Sequence, residues 1–169
     1  LFTQYQPWNK SKALNYALRQ TNTPFFFVAD IDMIFRHDFI QKTIQLLKEG
    51  IIKNVYFKVG FLSALETKLE KKFEDYQIKF ESNFEATGLT LFSTSELKNC
   101  GGFDEFYHFW GAEDTDVHVR LKNEGYSVVF YDNEILLLHQ WHKSYRKGET
   151  DVLQKELQLK GVVQLNHHH

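Results

Sequence analysis

The run FFFVADIDM, residues 25–33, constrains the fold more than any other stretch of this chain. Five consecutive apolar residues, Phe25 to Ala29, lead into two carboxylates separated by a single residue, Asp30 and Asp32. The turn-forming TNTP before it bounds the run, and a short apolar run so bounded reads as a strand buried on both faces. Such a strand needs covering layers, so it belongs to a sheet flanked by helices. The two acids then stand at a strand end, where like charges repel unless something positive lies beside them.

The rest of the chain supplies those layers. NKSKALNYALRQ carries Ala13, Leu14, Ala17 and Leu18 at helical spacing. DFIQKTIQLLKEG repeats Phe39, Ile40, Ile44 and Leu47 and stops at Gly50, a natural C-cap. Residues 63–82 place Leu65, Leu69, Phe73, Tyr76 and Phe80 on one helical face. STSELKNCGG and AEDTDVHVRLKNEG read as further helices, the second closed by Gly125. NVYFKV, GLTLFS, YSVVFY and EILLLH read as strands. Helices alternating with apolar strands predict an α/β domain with a mostly parallel sheet, whose ligands sit at the carboxyl ends of the strands. One domain is expected over residues 1–166, with the closing histidines, 167–169, read as a tag remnant.

Charge and cysteine usage narrow the class. A net charge of -2 argues against a nucleic-acid module, which normally shows a basic face. The single Cys100 leaves no internal disulfide, and no run reaches the roughly 18 apolar residues of a membrane span. A cytoplasmic location, peripheral at a membrane through other parts of a longer protein, is the resulting expectation; oligomeric state is left open.

Three clusters carry chemistry. Asp30 and Asp32 suit a divalent ion of the Mg²⁺ or Mn²⁺ type shared with phosphate oxygens, although one acid could cap a turn while the other is solvated. A metal-dependent phosphohydrolase would use such a pair. Met33 and Ile34 follow it here, where the haloacid dehalogenase type continues with a small Thr or Val step, and no Gly-Asp-x-x-Asn-Asp loop occurs. A nucleotide-sugar transferase would also use the pair, together with a separate carboxylate base. Glu113, Asp114 and Asp116 open a predicted helix, where acids complement the dipole by about 0.3–1 kcal/mol each. Trp110 and Gly111 stand directly before them, an aromatic face and an open backbone of the kind sugars stack on. His139 ends an apolar strand and His142 follows three residues later; neutral imidazole completes many Mn²⁺-type sites.

In order, WNKSKALN, VADIDMI, GGFDEFYHFWGAEDTDVHVRL and LLHQWH resemble inverting GT-A glycosyltransferases, above all the family 2 enzymes and the β-1,4-galactosyltransferase/chondroitin polymerase group. The likeness runs from about Trp8 to His142, and its most specific part is W-G-x-E-D-x-D-x-x-x-R-L, Trp110 to Leu121. The resemblance implies transfer of a sugar, UDP-linked by expectation, from a nucleotide donor to a glycan hydroxyl. Asp114 would be the base, with Trp110, Gly111, Glu113 and Asp116 binding the acceptor. Lys10, Asn15 and Asp30 would touch the nucleotide, and Asp32 would ligate Mn²⁺ or Mg²⁺. Chondroitin polymerase favours His139 as the further metal ligand, the galactosyltransferases His142. Ala112 departs from the usual second Gly. GT-A folds begin with a strand–helix–strand unit for the base, and this chain is expected to lack it. A non-catalytic glycan-binding module is the remaining alternative.

Overall fold

The computed structural model describes residues 9–48, 53–66, 70–83, 88–107 and 111–142. They group into two compact units. One takes the chain up to Pro24 and Thr94–Glu124, and the other takes Phe25–Ser93 and Gly125–His142.

The second unit is built on two four-stranded sheets. Its strands are β1 (Phe25–Val28), β2 (Met33–Phe35), β3 (Asn54–Phe57), β4 (Val59–Leu62), β5 (Ile78–Glu81), β6 (Thr90–Ser93), β7 (Val128–Tyr131) and β8 (Leu137–His139). One sheet runs β1-β6-β3-β7 and the other β2-β8-β4-β5. The stretch NVYFKV divides at Lys58 and feeds β3 into one sheet and β4 into the other. Asn54 steadies the first sheet from a fully buried position: its Nδ2 donates to Ser127 O at 3.0 Å and its Oδ1 accepts from Ser93 N at 3.0 Å.

Three expectations are corrected here. The sheets are mixed, since β3·β7 and β4·β8 are parallel while β1·β6, β3·β6, β2·β8 and β4·β5 are antiparallel. The amphipathic helix expected over 63–82 does not form among the described residues. Residues 64–65 turn, Phe73–Asp75 make a single 3-10 turn, and 78–81 return as edge strand β5 beside β4. Leu69 lies outside the described residues, as does the C-cap expected at Gly50. β1 is also less enclosed than its composition suggests, with Phe25, Phe26 and Phe27 only partly buried and Val28 buried.

The core of this unit gathers Met33, Phe39, Val55, Phe57, Val59, Leu89, Leu91, Leu136 and Leu137. Phe27, Phe39 and Phe57 meet at centroid distances of 5.2–6.2 Å, tilted or edge-to-face. Each buried ring or aliphatic side chain contributes about 1.5–3 kcal/mol of transfer free energy. Helix α2 (Phe39–Lys48) lays Phe39 and Thr43 on that core, with Leu46 and Leu47 beside them. Ile40 and Ile44, expected on the same stripe, are exposed. At one end of the β2·β8 ladder Arg36 donates from Nη2 to Glu134 Oε2 at 2.6 Å and from Nε to Asp38 Oδ1 at 2.6 Å. The Arg36 hydrogen bond, helped by Lys42 and Tyr131, pulls Glu134 down to about 2.

The first unit holds α1 (Lys10–Gln20), α3 (Thr94–Asn99) and α4 (Glu113–Asn123). Asn9 caps α1 by accepting from Lys12 N at 2.8 Å, which satisfies one orphan donor of the first turn. Val117 and Leu121, one turn apart on α4, are completely buried.

Candidate active site

The strand β1 stops at Val28, and Asp30 lies exposed beyond it. Asp32 is placed by the next strand instead: Ile31 and Asp32 form the turn that enters β2. The Asp32 carbonyl accepts from Gln140 N at 3.0 Å, extending the β2·β8 ladder by one bond beyond the Met33–His139 pair. This latch brings the carboxylate beside two imidazoles. Asp32 Oδ2 lies 3.5 Å from His139 Nε2 and 3.3 Å from His142 Nε2. The three residues each offer one ligand atom, all within 4.8 Å of one another. Both histidines named by the sequence therefore lie beside Asp32. Two imidazole nitrogens and one carboxylate oxygen are a donor set that fits Mn²⁺ better than Mg²⁺, which prefers oxygen ligands throughout.

The aromatic neighbours of this cluster carried no sequence signal of function. Phe61 stacks on His139, centroids 4.9 Å apart at 28°, and on Phe80, 4.5 Å apart at 6°. Strand alternation puts Phe61 on one face of β4, but which side chains flank it follows only from strand order and register.

In the other unit, the acids of GAEDTD stand at the start of α4, reached through a sharp turn. Gly111 has φ 102° and Ala112 has φ 72°. Glycine enters this left-handed region freely, whereas Ala112 is there at a steric cost. The turn delivers Glu113, Asp114 and Asp116 to the first turn of α4, where the helix dipole favours negative charge. The Glu113 side chain is only 12% exposed. Burial, and then the neighbouring Asp114 charge, raise its pKa, while Lys10 Nζ at 3.7 Å opposes the rise. Lys10 thus meets the acidic helix start directly.

Asp114 accepts from Thr115 N through Oδ1 at 2.8 Å. Asp116 is held differently. Its Oδ2 receives Arg120 Nη2 at 2.6 Å and Nε at 2.9 Å. The same guanidinium donates to the carbonyls of Cys100 at 2.6 Å and Gly102 at 2.8 Å. Arg120 sits in the motif read from sequence, yet nothing there indicated that it would bind this turn.

Asn15 is a buried brace. Its Nδ2 donates to Phe103 O at 2.8 Å and to Glu105 Oε1 at 3.1 Å, and its Oδ1 accepts from Phe103 N at 2.9 Å. Both amide hydrogens are engaged inside the protein, so the nucleotide contact expected of it would have to displace one of these bonds. Gly102, with φ 74°, permits the approach, because a Cβ there would fall 2.6 Å from Asn15 Oδ1. Trp110 lies outside the described residues.

Comparison with known proteins places these features in context. The family described as the N-terminal domain of galactosyltransferase matches residues 67–143. Chondroitin sulfate synthase 3 of Mus musculus is 27% identical over 146 residues, which cover 82% of this chain and 16% of that protein. The Homo sapiens protein of the same name is 27% identical over 147 residues, with the same coverage of 82% and 16%. The chain thus spans a small part of the curated relatives it matches. Among solved structures, GalNAc-T7 with UDP, GalNAc and Mn²⁺ superposes with a TM-score of 0.56 at 12% identity, covering 83% of this chain and 32% of that one. The catalytic domain of Drosophila beta1,4galactosyltransferase 7 in complex with xylobiose gives a TM-score of 0.52 at 16% identity, covering 89% of this chain and 60% of that one.

Proposed function

We propose that this chain, a GT-A-fold domain of the galactosyltransferase-like class, is the catalytic part of an inverting glycosyltransferase. Its donor is a nucleotide-diphosphate sugar, UDP-linked in our reading, and its acceptor is a glycan hydroxyl. The observation that carries the reading is the meeting of Asp32, His139 and His142 in a fold whose structural neighbours include a UDP and Mn²⁺ complex.

Asp32, His139 and His142 hold the cation, and Asp30 lies close by in sequence to take part in nucleotide binding. A bound Mn²⁺ supplies Lewis-acid neutralisation of the diphosphate charge. Asp114 is the general base. Its carboxylate takes the acceptor hydroxyl proton, the oxygen forms a bond to C1 of the donor sugar, and the C1–O bond to the diphosphate breaks with its electron pair. Attack from the face opposite the leaving group inverts the anomeric configuration. Glu113, Gly111 and Trp110 bind the acceptor. Lys10 balances Glu113 and lies where the family resemblance sets the nucleotide. Asp116 and Asn15 act from behind: the first anchors α4 through Arg120 and the second braces α1 against the Phe103 segment.

The deciding experiment incubates the protein with a panel of UDP-sugars, Mn²⁺ and glycan acceptors, following UDP release and acceptor mass together. Stoichiometric UDP release with a one-sugar gain in mass is expected. Phosphate release without any gain in acceptor mass would make the protein a phosphohydrolase, and saturable glycan binding with no turnover would make it a binding module.

A further inference from the structure

We propose that Phe61 is a positioning residue for the cation site: wedged between Phe80 and His139, its ring fixes the plane of the imidazole and so aims His139 Nε2 at the shared cluster. The inference deepens the metal reading of Asp32, His139 and His142 and rests on it.

The geometry comes from strand register. In the sheet β2-β8-β4-β5, Met33 pairs with His139, His139 with Phe61, and Phe61 with Phe80. Residues directly opposite one another across strands share a face, so the four side chains form one row. At its inner end Met33 is buried, and at its outer end Phe80 is 53% exposed. The three rings of the row, His139, Phe61 and Phe80, lie nearly parallel to their neighbours, with interplanar angles of 28° and 6°. His139 follows in turn with His142, 5.2 Å away between centroids.

An imidazole needs such a support. Rotation about its terminal side-chain torsion is soft and broad, and a ligand nitrogen that swings loses the fixed donor set a cation requires. Metal-bound histidines are commonly steadied by a hydrogen bond from the other ring nitrogen; here a stacked ring lies against the imidazole face. Phe61 in turn cannot drift. On the opposite face of β4, Gly60 approaches its neighbours so closely that a Cβ would lie 2.8 Å from Leu138 Cδ2 and 2.9 Å from Ile78 Cδ1. The ladder is also irregular between Phe61 and Leu62. A ring used only as core filling would be replaceable by an aliphatic side chain; a ring that orients an imidazole requires a flat face.

The test is Mn²⁺ titration by calorimetry of the whole chain as wild type, Phe61→Leu and Phe61→Tyr, with thermal melting run alongside. Outer-shell substitutions weaken metal affinity by about 10–100-fold, so Phe61→Leu is expected to lose about tenfold at the least while Phe61→Tyr stays near wild type. Equal affinities in Phe61→Leu and wild type, or equal loss in Leu and Tyr variants that melt normally, would overturn the proposal. If Phe61→Leu does not fold, Phe80→Leu at the exposed end of the row carries the same comparison, with weakened Mn²⁺ binding expected and unchanged binding overturning it. A metal-free readout separates failure of the cation reading from failure of this one. The His139 ring protons should carry a ring-current shift that Phe61→Leu removes and Phe61→Tyr preserves. If wild type binds no Mn²⁺, the cation reading falls. Ring-proton shifts unaltered in Phe61→Leu would then remove the positioning role as well.

Discussion

Asp32 Oδ2 lies 3.3 Å from His142 Nε2, although most of the chain separates the two residues in sequence. The contact exists because β2 and β8 pair antiparallel, so that the residue entering one strand meets the residues leaving the other. Replacing Asp32 by Ala removes the only carboxylate among these three donors. Mn²⁺-dependent UDP binding should then vanish in calorimetry, while the melting temperature changes little because the side chain is partly exposed. Unchanged UDP binding in Asp32→Ala would refute the metal assignment.

Asp114→Asn keeps the shape of the side chain and removes its basicity. Sugar transfer should fall by about 10²–10⁴-fold, the usual contribution of a general base, with UDP-sugar affinity retained. A parallel loss of donor affinity would argue that Asp114 binds rather than deprotonates.

Arg120 makes four hydrogen bonds to three acceptors, two to Asp116 Oδ2 and one each to the Cys100 and Gly102 carbonyls. Lysine carries the charge but lacks the planar fork, so Arg120→Lys should leave at least one carbonyl unsatisfied. A destabilisation of about 1–3 kcal/mol is expected in urea unfolding. A midpoint equal to wild type would show that the network adds nothing.

His118 on α4 is buried, and burial depresses its pKa from 6.5 to about 4, with Asp114 pulling upward and Lys122 downward. Between these values the unfolded chain binds more protons than the folded one, so stability rises with pH through the window. The stabilisation is complete above 6.5 and is lost as pH falls towards 4, a change of about 3 kcal/mol for this single group. His118→Gln should flatten that part of the stability profile; an unaltered slope would assign the dependence to other groups.

Ala112 occupies φ 72° ahead of α4. The left-handed region costs a non-glycine residue about 1–2 kcal/mol, while introducing glycine loosens the unfolded chain by about 0.4–1 kcal/mol. The first effect wins, so Ala112→Gly should stabilise the protein by about 0.5–1 kcal/mol in thermal unfolding. A lower melting temperature would indicate that the methyl group packs usefully.

Much of this was legible beforehand where short-range physics dominates. α1 follows from its apolar spacing, and α4 forms where AEDTDVHVRLKNEG reads as a helix, with Gly125 at positive φ directly after it. Over 63–82, Leu65, Leu69, Phe73, Tyr76 and Phe80 satisfy a helical period, yet the described part of the segment turns and returns as β5. Phe80 finds its partner instead in Phe61 of a neighbouring strand, and pairing along β4 overrides the local pattern. Asp116 and Arg120 stand one helical turn apart, a pairing that spacing along the chain contains, whereas the bonds of the same guanidinium to the Cys100 and Gly102 carbonyls depend on where that segment passes.

By itself the sequence determined the apolar runs and the chemical types set at element ends: acids after β1, one imidazole closing β8 and another just beyond it, carboxylates opening α4. Those are local matters of burial, backbone preference and charge. Only the tertiary structure decided which of them meet. Strand order and register, set by packing across the sheet, put Asp32 against both histidines and slid Phe61 beneath one of them; no spacing along a single chain encodes a neighbour that arrives from another strand.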